Sequence, residues 1–227
     1  VDSSALTEQV VIDVLASAFD SAGQRCSALR VLCLQEEVAD HTLTMLRGAM
    51  SECRMGNPGR LTTDIGPVID AEAKENIECH IQTMRAKGRT VYQAVRENSE
   101  DAREWNHGTF VPPTLIELDS FDELKKEVFG PVLHVVRYNR NELDKLVEQI
   151  NASGYGLTLG VHTRIDETIA QVTGSAKVGN LYVNRNMVGA VVGVQPFGGE
   201  GLSGTGPKAG GPLYLYRLLS SRPQGAV

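Results

Sequence analysis

The chain has 227 residues, of which 22 are basic and 28 acidic, so its formal net charge at pH 7 is −6. This balance, with lysine and arginine scattered along the chain, argues against a surface that binds nucleic-acid phosphates. The length suits one hydrophobic core, and the sequence has neither a signal segment nor an apolar run of the roughly 20 residues that cross a membrane, so we expect no membrane insertion.

The first pattern in the chain is an amphipathic helix. Apolar residues recur at helical spacing between Leu6 and Ala18, Gly23 ends the run, and the polar residues before it are candidate caps: Asp2, Ser3 and Ser4. The helix begins soon after Val1, and no initiator methionine precedes it. We therefore expect the sequence to be a piece of a longer polypeptide.

Further along, strand patterns alternate with helix patterns. Asp70 is placed to cap one of these helices and Gly88 to end it. Such an alternation predicts an α/β fold with a largely parallel sheet flanked by helices. The expected strands are 30–34, 90–95, 109–118, 131–138, 157–163 and 180–185, and the other expected helices are 39–53, 121–127, 140–152 and 165–176.

The last forty residues are rich in glycine. Gly199, Gly201 and Gly204 match G-x-G-x-x-G, but no helix, strand or acidic residue follows as a dinucleotide fingerprint requires. The glycines either provide turns with positive φ or let backbone N–H groups approach an anionic ligand, and the local sequence favours neither. The closing LYLYRLLS predicts a strand, and we expect 212–227 to form an edge or oligomerisation tail.

Four cysteines are spaced neither as a zinc site nor as a disulfide framework, which is typical of a reducing, cytoplasmic setting. Cys33 lies in a strand pattern and Cys53 on an apolar helix stripe, so both are expected in the core. Cys79 has no paired ligand. Cys26 lies in a turn-like context between Arg25 and Arg30, whose charge would favour a reactive thiolate, although a cysteine flanked in this way is more often structural.

Two further patterns remain ambiguous on local sequence. None of the five histidines is near Cys26 in sequence, so a cysteine–histidine hydrolase would require pairing in space. In KKEVFGPV, Glu127 and Phe129 could contact a sugar and a flat cofactor. Local sequence instead favours a charge at a helix end and a core phenylalanine.

Four segments in this order, GQRCSALR, NPGRLTTDIGPVID, EVFGPV and PFGGEGLSGTGPKAGGP, resemble the NAD(P)-dependent aldehyde dehydrogenase superfamily. Within it, RCSALR and GTGPKAGGPLYLYR are most similar to the L-glutamate γ-semialdehyde (Δ1-pyrroline-5-carboxylate) dehydrogenases, particularly the bifunctional bacterial type of proline utilization. The resemblance implies that residues 1–227 form the catalytic domain, with the dinucleotide-binding domain upstream of this sequence.

The resemblance also implies the roles of individual residues. Cys26 would attack the aldehyde, giving a thiohemiacetal and then a thioester. Glu127 would hold the nicotinamide ribose, and Phe129 would lie beside it. The substrate-binding residues would be Ser27, Gly189, Ala190 and Phe197, with Ala190 lacking the hydroxyl of relatives that carry serine at this position. No metal site is expected.

The cofactor and partners follow from the same resemblance. NAD would be bound mostly by the upstream domain, and FAD would belong to a separate upstream domain. The substrate would be a small aldehyde and the full-length enzyme a homo-oligomer, whereas this chain on its own is expected to be inactive. The alternatives are a dehydrogenase for another carboxylated aldehyde and a non-catalytic assembly module.

Overall fold

A computed structural model describes residues 1–94, 108–191, 194–206, 209–210 and 214–219. Its helices are α1 (Thr7–Phe19), α2 (Glu36–Glu52), α3 (Ala71–Ala86), α4 (Leu143–Ala152), α5 (Asp166–Ser175) and the single turn α6 (Tyr214–Arg217). Its strands are β1 (Val31–Gln35), β2 (Val91–Gln93), β3 (Thr114–Leu118), β4 (Val132–Tyr138), β5 (Tyr155–Gly156), β6 (Thr158–Val161), β7 (Asn180–Val183) and β8 (Glu200–Gly201).

The main sheet has the strand order β1-β4-β3-β2. Strand β4 is parallel to both β1 and β3, and β2 adds an antiparallel edge. The register places Val31 opposite His134 at the amino ends of β1 and β4. Two smaller sheets pair β6 with β7 in parallel and β5 with β8 antiparallel. The expected α/β fold with a largely parallel sheet is confirmed.

The main core lies between this sheet and helices α1, α2 and α3. All but one of the residues of β4 are buried, as expected for a strand with a neighbour on each side. The helices contribute apolar stripes to the same cluster, including Val14, Leu46 and Ile81. A smaller cluster joins α4 and α5 to β6, so the second half of the chain has an apolar centre of its own.

Two helix boundaries test the capping arguments. The Asp70 side chain accepts a hydrogen bond from Ala73 N over 2.8 Å, and Gly88, with a φ of 78°, follows the end of α3, which confirms both predictions. The capping role expected of Asp2, Ser3 or Ser4 in α1 is wrong, because this helix begins after Leu6 without a side-chain cap. Asp2 instead accepts hydrogen bonds from Ser4 and Thr163.

Three predicted elements differ from the structure. The expected helix at 121–127 is only a 3₁₀ turn at Phe121–Glu123, because the backbone becomes extended at Leu124 and ends the turn there. The expected strand at 109–118 begins only at Thr114, since Pro112 and Pro113 cannot donate to a strand ladder. The predicted closing strand is wrong, because Tyr214–Arg217 form the helical turn α6. Most of the remaining 212–227 tail lies outside the described residues, as does residue 95 of the expected 90–95 strand.

None of the helices in the described part of the chain is both long enough and apolar enough to span a membrane.

A histidine pair joins α3 to the amino end of β4. The Nε2 atoms of His80 and His134 are 2.9 Å apart, and His134 Nδ1 lies 3.1 Å from the carbonyl oxygen of Arg30. A carbonyl only accepts, so His134 carries its proton on Nδ1 and accepts from His80 through Nε2. Burial lowers the pKa of His134 to about 4, which keeps the ring neutral at pH 7.

We expect this pair to make the fold sensitive to mild acid. The pKa of His134 lies below its unfolded value, so the unfolded chain takes up a proton first, and stability is lost as the pH falls from about 6.5 to about 4. The loss should be about 2 kcal/mol by about pH 5. Urea unfolding at about pH 7 and pH 5 should show a smaller loss for His134→Asn than for the wild type, and an unchanged loss for the control His41→Asn on the exposed face of α2. An equal loss in His134→Asn and wild type would contradict this account.

Candidate active site

The candidate site lies at the amino ends of two neighbouring parallel strands. The Cys26 segment leads into β1, and the Glu127–Gly130 segment leads into β4. Because β1 and β4 are paired from Val31 and His134 onwards, residues just before the two strands must lie close together. The pairing thus brings together two segments that are about a hundred residues apart in sequence.

Cys26 is exposed at the tip of a β-turn. Ala28 N donates to Arg25 O over 3.1 Å, which places Cys26 and Ser27 at the two central positions of the turn. Gln24, just before the turn, accepts from Ile69 N over 2.8 Å and donates to Pro67 O over 3.3 Å. The GPVID segment therefore holds the base of the turn that presents the thiol.

The path from α1 to Cys26 uses a left-handed backbone. Ser21, Ala22 and Gly23 have φ values of 57°, 54° and 66°, a conformation that is unfavourable for residues with a side chain. At Gly23 a side chain is also excluded by space, because an added Cβ would lie 2.2 Å from Gly130 O. The two segments of the candidate site therefore touch through their backbones.

Arg30 links the same two segments through its side chain. Its Nε donates to Glu127 Oε1 over 3.0 Å, and its guanidinium carbon lies 4.6 Å from the centre of the Phe129 ring. Burial lowers the pKa of Arg30, while the charges of Glu127 and Cys26 act in the opposite direction. Of the two arginines expected to supply charge near the thiol, Arg30 is thus tied into the site. Arg25 donates to Ser21 Oγ over 3.0 Å on the surface.

A cleft of about 610 Å³ is lined by Cys26, Glu127 and Phe129 together. Phe129 is 45% exposed as a residue, and the Glu127 side chain is 38% exposed. The local interpretation of Phe129 as a core residue and of Glu127 as a helix-end charge is wrong, because Phe129 is exposed and the turn at Phe121–Glu123 ends before Glu127. An exposed flat ring beside an accessible carboxylate fits a cofactor that carries a planar base and a sugar.

The four residues expected to bind the substrate do not line this cleft. Ser27 is buried, Gly189 has a φ of 86°, and Ala190 is half-buried in the loop that follows β7. Phe197 forms a backbone bridge with Ala209. The structure thus brings Cys26, Glu127 and Phe129 together and places these other residues outside the cleft wall.

Ser17 connects the Cys26 segment with the loop before Gly189, and the sequence analysis did not identify it. Its carbonyl accepts from Leu29 N over 2.8 Å, which anchors the Cys26 segment, and its Oγ accepts from Met187 N over 3.0 Å, which anchors the loop before Gly189. Ser17 is buried. One serine on the buried face of a helix gives no signal in the sequence that it serves two distant loops.

The glycine-rich loop is held mainly by its own backbone. Gly206 N donates to Gly199 O over 2.7 Å, and the Asn180 side chain bonds both Pro196 O and Gly198 N. A Cβ on Gly179 would lie 1.8 Å from Gly198 O. These contacts favour turns and close backbone packing over an anion-binding loop.

Among the described residues, Cys33 and the histidines show no second nucleophilic site. Cys33 is held in β1, where burial raises the pKa of its thiol to about 11. The ring nitrogens of His134 are taken by Arg30 and His80, and no described histidine is hydrogen-bonded to Cys26; His107 is outside the described residues. These contacts give no support to a cysteine–histidine hydrolase. No group of three or more potential metal ligands was found among the described residues.

Comparison with known proteins decides the family. The profile of the aldehyde dehydrogenase family matches residues 1–222. The chain belongs to this family. The expectation drawn from its four sequence segments is thus confirmed.

Among the family's curated proteins, bifunctional protein PutA of Klebsiella aerogenes is 98% identical over all of this chain, which covers 17% of that protein. The 1-pyrroline-5-carboxylate dehydrogenase of Bacillus cereus strain B4264 is 36% identical over 98% of this chain, which covers 42% of that relative. The chain therefore spans less than half the length of these curated relatives.

Solved structures of the family share the fold. A crystal structure of bifunctional proline utilization A superposes with a TM-score of 0.86 at 53% identity, covering 93% of this chain and 21% of the other. A 1-pyrroline-5-carboxylate dehydrogenase from Thermus, solved with bound NAD, superposes with a TM-score of 0.81 at 34% identity, covering 94% of this chain and 40% of the other.

The contact between Gly23 and Gly130 predicts a sharp difference between two glycines. Gly23→Ala should lower the thermal midpoint by several degrees, because it places a methyl group against a backbone oxygen and keeps a positive φ. Gly48→Ala, in α2 with nothing within 4 Å of the added Cβ, should leave the midpoint unchanged or raise it slightly. Circular dichroism melting curves of the two variants test this, and equal midpoints would contradict the assigned contact.

Proposed function

We propose that this chain is the catalytic part of an NAD-dependent dehydrogenase that oxidises L-glutamate γ-semialdehyde to glutamate. The observation that carries the proposal is the exposed Cys26 on the same cleft as Glu127 and Phe129, with Arg30 between the two segments. The similarity to PutA and to 1-pyrroline-5-carboxylate dehydrogenases supports the choice of substrate.

Cys26 is the nucleophile in this proposal. Its sulfur attacks the aldehyde carbon and gives a thiohemiacetal whose oxygen is stabilised by the backbone N–H of Cys26 and by a side chain from upstream of this sequence. Loss of hydride converts this adduct to a thioester, and water then releases glutamate and restores the thiol. The turn position suits this role because the thiol is exposed and its backbone is fixed by neighbouring segments.

The cofactor contacts are assigned to Glu127 and Phe129. The Glu127 carboxylate accepts hydrogen bonds from ribose hydroxyls, and the Phe129 ring packs beside the nicotinamide. NAD, when bound, supplies the hydride acceptor. A second protein segment is needed for most of its binding, so we propose that the isolated 227 residues have no dehydrogenase activity.

We assign recognition of the substrate carboxylate to Ser27, the backbone of Gly189 and Ala190, and the ring of Phe197. Several neutral donors can hold a carboxylate that leaves water without burying another charge. Ser17 supports this grouping, because it anchors both the segment with Ser27 and the loop before Gly189. These residues do not line the cleft beside Cys26, so the carboxylate would be held to one side of the thiol.

The wider setting is part of the same proposal. The full-length protein is bifunctional and cytoplasmic, acts in proline catabolism, and carries FAD in a separate upstream domain. It forms a homo-oligomer, in which residues 212–227 serve as the contact tail. The similarity to bifunctional PutA supports this setting.

Cysteine replacement tests the nucleophile. In a full-length protein that carries this chain, Cys26→Ala should reduce NAD-dependent oxidation of glutamate semialdehyde by about a thousandfold or more, because covalent catalysis is lost. Cys79→Ala, on the exposed face of α3, should keep wild-type activity. NADH formation measured at 340 nm distinguishes the two outcomes, and an active Cys26→Ala enzyme would disprove the proposal.

Substrate choice and the need for a second segment are tested by two comparisons. Glutamate semialdehyde should be oxidised with a higher kcat/KM than succinate semialdehyde, because the assigned carboxylate donors lie at a fixed distance from Cys26. Equal efficiencies would favour a dehydrogenase for another carboxylated aldehyde.

The isolated chain should give no NADH with either substrate, and turnover by it would contradict the assignment of cofactor binding to another segment.

A further inference from the structure

The guanidinium of Arg30 makes more contacts than an ion pair requires. Besides Glu127, it donates from Nη1 to Gly23 O over 2.6 Å and to Gly130 O over 3.3 Å, and from Nη2 to Arg25 O over 3.1 Å. Three of these partners are backbone carbonyls that flank Cys26 on one side and Phe129 on the other. One planar group therefore bonds the chain before the nucleophile and the chain around the assigned cofactor residues.

The base of this side chain is also fixed. Arg30 O accepts from His134 N over 3.0 Å and from His134 Nδ1 over 3.1 Å, at the point where β1 and β4 begin to pair. The side chain of Arg30 is 16% exposed, so movement of the guanidinium would have to displace its neighbours. The position of the guanidinium group is therefore set by the pairing of β1 with β4.

Fold stability is a weak explanation for this arrangement. Burying a cation costs free energy, and an apolar side chain of similar size often stabilises a fold as well or better. Arg30 is instead placed where five N–H donors in a fixed plane reach several acceptors at once, which a lysine ammonium cannot reproduce. This geometry suits a group that must hold two segments at a fixed position relative to each other.

We propose that Arg30 is a positioning residue that fixes the distance between the Cys26 thiol and the cofactor held at Glu127 and Phe129. This inference rests on the proposed function. Hydride transfer depends on the relative placement of the thiol adduct and the nicotinamide, and small misplacements of reacting groups are costly. Arg30 also makes the two sites interdependent, because any pull on the Glu127 carboxylate reaches the turn at Cys26 through the same guanidinium.

The test uses a full-length protein in which this chain replaces the matching region of the Klebsiella aerogenes relative. Arg30→Lys keeps the positive charge but replaces the planar guanidinium with an ammonium group. It should lower kcat and raise the KM for NAD, so that kcat/KM falls about tenfold or more. The matched control is Arg47→Lys, since Arg47 also pairs with an acid, Glu117, and lies over the ring of Tyr92 but is outside the cleft. The control should stay within about twofold of wild type.

Alkylation of Cys26 by iodoacetamide at fixed pH, without NAD, gives a readout that a purely structural role would not change. The Glu127→Gln variant keeps the backbone contacts of Arg30 but weakens the ion pair, and we expect it to change the alkylation rate severalfold. The effect of Glu127→Gln on the alkylation rate should vanish in a protein that also carries Arg30→Met. The single variant Glu127→Gln leaves the bonds of Arg30 to the three backbone carbonyls in place, so its alkylation rate can be compared with wild type even if substitutions of Arg30 prove unstable.

The outcomes separate this inference from the proposed function. If Cys26→Ala keeps oxidising the semialdehyde, the proposed function fails. If Cys26→Ala is inactive while Arg30→Lys matches Arg47→Lys in both kcat and KM, the positioning role is wrong and the nucleophile stands. An alkylation rate that Glu127→Gln leaves unchanged, or changes equally in the presence and absence of Arg30, also overturns the coupling through Arg30.

Discussion

The backbone contact between Gly23 and Gly130 is the constraint on which the candidate site depends. Each residue precedes a strand of the same parallel pair, and the space between them is too small for even one methyl group. This contact fixes where the chain before β1 can run, and hence where the turn that carries Cys26 is presented.

The sequence predicted elements whose cause is local. Periodic apolar residues located the main helices and strands, and Asp70 was recognised as a cap because its partner is three residues away. Local sequence patterns could not predict the contacts of Phe129 and Glu127, because their arginine partner lies about a hundred residues earlier in the chain. Here family resemblance implies the expected roles, while the local pattern of 121–127 favours a helix that the extended backbone of Leu124 ends after one turn.

The position of the site also explains why a side chain supplies its positive charge. Ligands of open α/β sheets usually bind at the carboxyl ends of the strands, where helix N-termini offer a partial positive charge. Cys26 lies at the opposite edge of the sheet, in a turn that no helix follows before β1. Arg30 brings positive charge to this edge, and its guanidinium donates hydrogen bonds to Gly23 O and Arg25 O, two carbonyls that precede Cys26 in the chain.

Ser17, near the end of α1, sets the distance between the Cys26 segment and the loop before Gly189. Ser17 bonds the Cys26 segment through its carbonyl and the loop before Gly189 through its hydroxyl, so neither segment can shift without breaking a buried hydrogen bond. In the proposed roles, Arg30 fixes the thiol relative to Glu127 and Phe129, which are assigned to the cofactor, and Ser17 fixes it relative to the loop assigned to the substrate carboxylate. Under the proposed function, a substrate with an aldehyde at one end and a carboxylate at the other is selected by its length, because Ser17 holds both the Cys26 segment and the loop assigned to the carboxylate.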